Sequence, residues 1–344
     1  MTKTHYRRTA TTVLACASWW QILACLLLLL VHARAVVAQD APKYAKARAS
    51  IAPAQVKPGT QATLQLTLEL ADDAHVNSNA PRDPNLIPTV FTPQPVNGIV
   101  WGQVQYPAPT EVNEWYASDP LPVYQNGAVI AVPFTVEPTA SGSLTLGGTL
   151  LAQTCDHEQC YPPRKVEVSV SLQLGVTQTS ATVSPAVAPS ERASTQTAAT
   201  EFTFNDLNGK PHKLSDFRGK IVLLDFWATW CKPCLADFPQ LKALYAKYQA
   251  SGFEIIGLDC ETLGDDAPDA ETILAGTKQA KAVVARFGAT WTMAETRSAV
   301  PIATKHFQVQ SLPTKVLLDR QGQVLQKIKN GSELELLLEQ LLKP

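Results

Sequence analysis

Apolar and polar residues alternate along Thr63-Leu64-Gln65-Leu66-Thr67-Leu68-Glu69-Leu70. A two-residue period puts every second side chain on one face, so this segment reads as a strand with one buried face. Val129 to Val136, Ser143 to Ala152 and Lys165 to Leu174 repeat the pattern, with turns at Pro58-Gly59, Asn97-Gly98, Asn126-Gly127 and Ser141-Gly142. Between residues 41 and 175 no stretch carries a helical period, and a β-sandwich is the economical architecture for such a series. Residues 176–200 are Ser, Thr, Ala, Pro and Gln with hardly an apolar cluster. They bury too little to offset their ordering entropy and are expected to form a flexible tether.

From Glu201 to the last residue, 344, the periods change. The run Ile221-Val222-Leu223-Leu224-Asp225-Phe226-Trp227 predicts a buried strand, a helix is expected from Cys231 to about Ala250, and Phe253 to Asp259 predicts the next buried strand. A helix over Glu271 to Phe287 follows. Strands at Leu312 to Asp319 and Val324 to Ile328 flank the turn Arg320-Gln321-Gly322-Gln323, and Ser332 to Leu342 predicts a final helix. Strands and helices alternate here, whereas the first half is all strand.

Composition sets the first 38 residues apart. A basic start (Lys3, Arg7, Arg8), an apolar stretch ending in Leu26-Leu27-Leu28-Leu29-Leu30-Val31, and small residues in Val36-Val37-Ala38 have the layout of a signal peptide. Val13 to Val31 is nearly long enough to span a bilayer, so a membrane anchor is the alternative. Either way the protein is expected in the periplasm or cell envelope. Loss of that segment removes four cations and no acid and takes the formal charge from −1 to −5, which recruits no nucleic acid. Five of the 7 cysteines then remain, namely Cys155, Cys160, Cys231, Cys234 and Cys260, which is two close pairs and one odd thiol.

The chemistry gathers at Trp230-Cys231-Lys232-Pro233-Cys234. A buried strand running into Cys-X-X-Cys, with a helix directly behind, puts the first thiol at a helix N-terminus, where N–H groups and the helix dipole favour a thiolate. Cys231 is expected to be the exposed attacking sulfur and Cys234 the resolving one, with Lys232 solvated beside them. Half of a zinc site or an inert disulfide are the alternatives, but no second ligand pair lies near. Asp225, on the strand beneath, is expected to be buried with a raised pKa and to take the proton of Cys234. A plain buried carboxylate with a hydrogen-bonded partner is its rival reading. Pro313 is a candidate cis peptide whose missing N–H leaves the adjoining backbone free to pair with an extended substrate. Trp227 is expected to pack, Trp230 to pack or to meet substrate, and Cys260 to act as a small buried hydrophobe.

In the first half, Thr154-Cys155-Asp156-His157-Glu158-Gln159-Cys160-Tyr161-Pro162-Pro163 lies between strand-like runs. Four intervening residues suit a hairpin turn that would bring Cys155 and Cys160 face to face at disulfide distance. A redox pair, a permanent disulfide, or a zinc site with His157 all remain open at this point. His157 is expected in a solvated turn, and His75 on a ligand surface or as a surface or hydrogen-bonded loop residue.

Cys155 to Pro163, His75-Val76-Asn77-Ser78-Asn79-Ala80-Pro81 and Leu86-Ile87-Pro88-Thr89 resemble the N-terminal domain of the thiol:disulfide interchange protein DsbD. Asp225-Phe226-Trp227-Ala228-Thr229-Trp230-Cys231-Lys232-Pro233-Cys234, Leu312-Pro313-Thr314 and Leu318-Asp319-Arg320-Gln321-Gly322 resemble the TlpA/ResA family of exported thiol-disulfide oxidoreductases. The resemblances imply an all-β immunoglobulin-like sandwich followed by an α/β thioredoxin-like fold. They also imply the nucleophile at Cys231, the resolving thiol at Cys234, the cis-proline at Pro313, and a redox role for Cys155 and Cys160. A disulfide reductase relaying electrons between the two pairs is the expected function, with no cofactor and no metal. Its partners would be client proteins with disulfides, apocytochrome c among them, and a separate membrane protein supplying electrons. A thiol oxidase or isomerase is one alternative. A reductase whose sandwich only binds a partner and whose Cys155–Cys160 bond is structural is the other. The usual partner-contact loop is not recognisable in Glu261 to Pro268.

Overall fold

Leu64, Leu66 and Leu68 are fully buried while Gln65 and Thr67 between them are half-buried, so the alternation does set which face of this strand meets the core. The computed structural model describes residues 44–174, 201–265 and 267–342. The expected export segment, 1–38, and the expected tether, 176–200, lie outside them. Two domains are described, a sheet-rich immunoglobulin-like sandwich and a thioredoxin-like α/β domain.

In chain order the sandwich strands are β1 (Lys46–Ala52), β2 (Gln61–Glu69), β3 (His75–Asn77), β4 (Val90–Pro93), β5 (Ile99–Trp101), β6 (Thr110–Val112), β7 (Leu121–Tyr124), β8 (Val129–Val136), β9 (Ser143–Ala152), β10 (Thr154–Cys155) and β11 (Arg164–Gln173). They form antiparallel sheets in the orders β1-β2-β8-β5, β10-β3-β7-β6 and β11-β9-β4. Leu64, Leu66, Leu68, Ile130, Val132, Phe134, Leu146, Leu150 and Leu172 fill the core between them. The Asn126-Gly127 turn joins β7 to β8, and Gly127 takes a φ of 82°, which asparagine or glycine tolerates and most side chains do not.

The second domain has a short hairpin of β12 (Thr203–Asn205) and β13 (Pro211–Lys213). Its main sheet is built from β14 (Ile221–Trp227), β15 (Phe253–Asp259), β16 (Thr292–Ala294), β17 (Thr314–Leu318) and β18 (Val324–Ile328). Their order is β16-β15-β14-β17-β18. β14 runs parallel to β15 and antiparallel to β17. Every residue of β14 is buried, which explains its continuous apolar run: a central strand covered on both faces has no polar side to alternate with.

The helices are α1 (Lys232–Tyr248), α2 (Ala270–Phe287), α3 (Thr296–Pro301) and α4 (Gly331–Leu341). Side chains at their starts satisfy the free N–H groups: Asp269 accepts from Thr272 N at 2.7 Å and Asn330 from Glu333 N at 3.0 Å. No helix among the described residues is long and apolar enough to cross a membrane.

Candidate active site

Strand β14 ends at Trp227, and the chain passes through Ala228-Thr229-Trp230 into α1, with Cys231 as the residue that caps the helix. The Cys231 Sγ accepts a hydrogen bond from Cys234 N at 3.3 Å, so this sulfur sits where the helix N–H groups and dipole act on it. Cys231 and Cys234 are joined as a disulfide. The loop before them is fixed from the side: the Glu261 carboxylate accepts from Thr229 N at 2.9 Å and Thr229 Oγ1 at 2.8 Å, and Glu261 O accepts from Trp230 Nε1 at 2.9 Å. Trp227 is fully buried against Phe238, with ring centroids 5.1 Å apart.

Asp225 lies one face below, buried on β14, and burial pushes its carboxyl up to about 6 while Lys315 pulls it down and Asp237 adds to the rise. Lys315 Nζ stands 3.8 Å from Asp225 and 2.5 Å from Asp237, and this ammonium is itself 4% exposed. Asp237 follows Cys234 by one turn of α1, so Lys315 ties the buried carboxylate to the helix that carries Cys234. Sequence reasoning passed over Lys315. Its signal was a single cation in the otherwise apolar Val316-Leu317-Leu318 strand. Among the described residues Cys260 is the free cysteine, fully buried, and burial, followed by Asp259, Asp225 and Glu261, pushes its thiol well above the ordinary range. It is a packing residue.

The sandwich pair forms the expected hairpin. Cys155 and Cys160 face each other across an antiparallel bridge and are joined as a disulfide. Asp156 organises the turn, its Oδ1 accepting from Glu158 N and Gln159 N at 2.8 Å each. His157 is exposed at the tip and bonds Glu114 at 2.7 Å. His75 corrects the expectation of a surface or loop histidine. It lies in β3, opposite Cys155, and is 4% exposed.

The sandwich hairpin pairs with the segment that leads into Pro313. Cys160 N donates to Leu312 O at 2.7 Å and Leu312 N donates to Cys160 O at 2.9 Å, a two-bond antiparallel ladder on the residue just before Pro313. The Leu312–Pro313 bond is cis. Around the ladder, the Ser311 hydroxyl donates to the Gln159 side chain, Gln153 Nε2 donates to Trp230 O at 3.4 Å, and Lys232 pairs with Asp83. Arg164 Nη1 donates to Gly264 O at 3.0 Å.

Two expectations are corrected at this site. Cys231 is 0% exposed rather than an exposed attacker. Lys232 is not solvated but ion-paired to the other domain. Burial raises the Asp83 carboxyl, and hydrogen bonds from Lys232 and Asn85 more than offset that and hold it below the ordinary range. The segment Glu261 to Pro268, unassigned from sequence, touches both the loop before Cys231 and the sandwich. Gly264 has a φ of 85°, and a Cβ there would sit 2.6 Å from Pro162 Cβ. Asp83, Gln153, Gln159 and Arg164 were missed because each is an ordinary polar residue until the domains meet.

Two family models match the chain, the AhpC/TSA family over residues 195–337 and the N-terminal domain of the thiol:disulfide interchange protein DsbD over residues 44–172. The thiol-disulfide oxidoreductase ResA of Bacillus thuringiensis subsp. konkukian is 39% identical over 145 residues, which is 42% of this chain and 75% of that protein. ResA of Geobacillus thermodenitrificans is 35% identical over 134 residues, 39% of this chain and 68% of that protein. Among solved structures, the thioredoxin domain of a thiol-disulfide oxidoreductase from Bacteroides vulgatus covers 44% of this chain and 100% of its own, with 23% identity and a TM-score of 0.37. A thiol:disulfide interchange protein from Bacteroides sp. covers 43% and 90%, with 25% identity and a TM-score of 0.36.

Proposed function

The chain belongs to the ResA family of thiol-disulfide oxidoreductases, and on that premise we propose that it is an exported disulfide reductase in which Cys231/Cys234 and Cys155/Cys160 pass electrons to each other. The observation that carries this reading is the Cys160–Leu312 ladder. Backbone pairing beside Pro313 sets an extended segment across the thioredoxin-like site, and the segment found there is the other cysteine pair's own hairpin.

The exchange runs as two displacements. The Cys231 thiolate attacks Cys160 Sγ, the Cys155–Cys160 bond breaks, and Cys155 leaves with the electron pair. Cys234 then loses its proton and attacks Cys231, releasing Cys160 and closing Cys231–Cys234. Asp225 serves as the acceptor for the Cys234 proton. Its buried position gives it a pKa near neutrality, which suits a group that must take up and give back a proton. The resemblance of both modules to reductive pathways supports the direction, and the clients are proteins with disulfides.

A chain carrying Cys155→Ser and Cys234→Ser keeps Cys160 and Cys231 but cannot resolve a bond between them. It is expected to accumulate a Cys160–Cys231 disulfide, identified by peptide mass mapping, whereas Cys160→Ser with Cys234→Ser gives no Cys155–Cys231 bond. If the first chain forms no interdomain bond under oxidising conditions, the relay is wrong and the hairpin bond is a structural clasp on a binding module.

A further inference from the structure

Resting on the reading that the hairpin pair is redox-active, we propose that His75 accepts the proton of Cys155 when the Cys155–Cys160 bond closes and supplies one to Cys155 when the bond opens. In the antiparallel pairing of β3 with β10, His75 stands directly opposite Cys155. Directly opposed residues project from the same face of a sheet, with Cβ atoms about 4.5–5.5 Å apart. Both side chains are buried, His75 at 4% and Cys155 at 3%. His75 Nε2 is buried with no hydrogen-bond partner, although buried polar atoms are nearly always paired. An open imidazole nitrogen on the residue paired with Cys155, whose sulfur gains a proton in one half-reaction and loses it in the other, is placed to take that thiol as its partner.

The surroundings keep the ring in the form this requires. Burial disfavours the charged imidazole and lowers the His75 pKa, while Glu114 and Asp156 pull the other way. Glu114 faces it from the segment between β6 and β7 and is shared with exposed His157. Asp156 faces it from the hairpin turn, and Tyr116, its phenol pushed up by burial, bonds Asp156 O at 3.5 Å.

In the closing step, Cys160 is held in a mixed disulfide with a client sulfur. The Cys155 thiol gives its proton to His75 Nε2, and its sulfur attacks Cys160 Sγ. The Cys155–Cys160 bond forms, the Cys160–client bond breaks, and the client sulfur departs with the electron pair and takes up a proton from the imidazolium. Opening is the same path reversed: an attacking thiol, that of Cys231 or another, gives its proton to His75 Nε2, its sulfur attacks Cys160 Sγ, and Cys155 departs with the electron pair and takes the proton from the imidazolium.

The full chain carrying Cys231→Ser and Cys234→Ser isolates the hairpin pair. It is reduced, mixed with oxidised glutathione, and quenched at intervals between pH 5.5 and 9, and closure of the glutathione-bound intermediate is followed by mass. His75→Gln in that background is expected to slow closure at pH 7 by about tenfold or more and to replace a plateau near neutrality with a rate that climbs toward pH 9 as the thiol ionises unaided. An unchanged rate and profile overturn the proposal. Ring NMR signals of His75 in the otherwise unaltered chain guard against a folding defect. Their titration is expected to differ between oxidised and reduced hairpin, and identical titrations also overturn it. Because glutathione stands in for the client and the second cysteine pair is absent, this assay reads His75 even if the interdomain bond described above never forms.

Discussion

At the scale of single residues, Asp225 links stability to chemistry with a definite sign. Its folded pKa of about 6 lies above the ordinary carboxylate value near 4, so between those values the native state binds more protons than the unfolded chain. Stability therefore falls as pH rises through that window, and above it the native state carries the whole cost. Asp225→Asn is expected to stabilise the protein at pH 8 by on the order of 2–3 kcal/mol and to have little effect at pH 4, measured by chemical denaturation at the two pH values. The same variant is expected to slow release of a Cys231 mixed disulfide about tenfold. A loss of stability at pH 8 would contradict the assigned sign. Cys231, Cys234 and Asp225 were legible in the sequence because a strand, a capping thiol and a helix follow one another within ten residues. Lys315 and His75 were not, since each acquires its meaning from a strand partner: Asp225 opposite Lys315, and Cys155 opposite His75.

At the scale of elements, the long alternating strands were readable and the short ones were not. Val129–Val136 and Ser143–Ala152 occur with the ends expected of them, because a two-residue period over eight or more positions is hard to imitate. β3 and β7 are three and four residues long and buried throughout, so they leave no alternation to detect. The segment between β15 and α2 was opaque for another reason. Its conformation answers to Pro162 and Arg164, about a hundred residues earlier. Gly264→Val is expected to push this segment off the sandwich, since a side chain at that positive φ is strained and its Cβ lies within 2.6 Å of Pro162. The readout is the rate at which dithiothreitol reduces Cys231–Cys234, which should rise several-fold as the hairpin lifts. An unchanged rate would show that this close approach does not hold the domains together.

At the scale of the whole molecule, two architectures were legible and their contact was not. Each domain's pattern is local, whereas the contact joins Cys160 to Leu312, Asp83 to Lys232 and Gln153 to Trp230, pairs that no periodicity connects. The Asp83–Lys232 pair offers a reversible test of whether charge aligns the domains. Asp83→Lys sets two ammonium groups against each other and is expected to accelerate dithiothreitol reduction of Cys231–Cys234 several-fold. Adding Lys232→Asp restores an opposite pair and should bring the rate back toward that of the parent. If the double variant stays as fast as the single one, the pair contributes packing and not recognition.

The ladder between Cys160 and Leu312 also has a consequence in time. A strand edge has one set of N–H and C=O groups, and those of Leu312 are both taken by Cys160. The thioredoxin-like site can therefore hold its own hairpin or an outside polypeptide, and never the two together. Under the proposed relay the protein works as a turnstile: one electron pair enters, the arm swings clear, and only then can the next passenger step up.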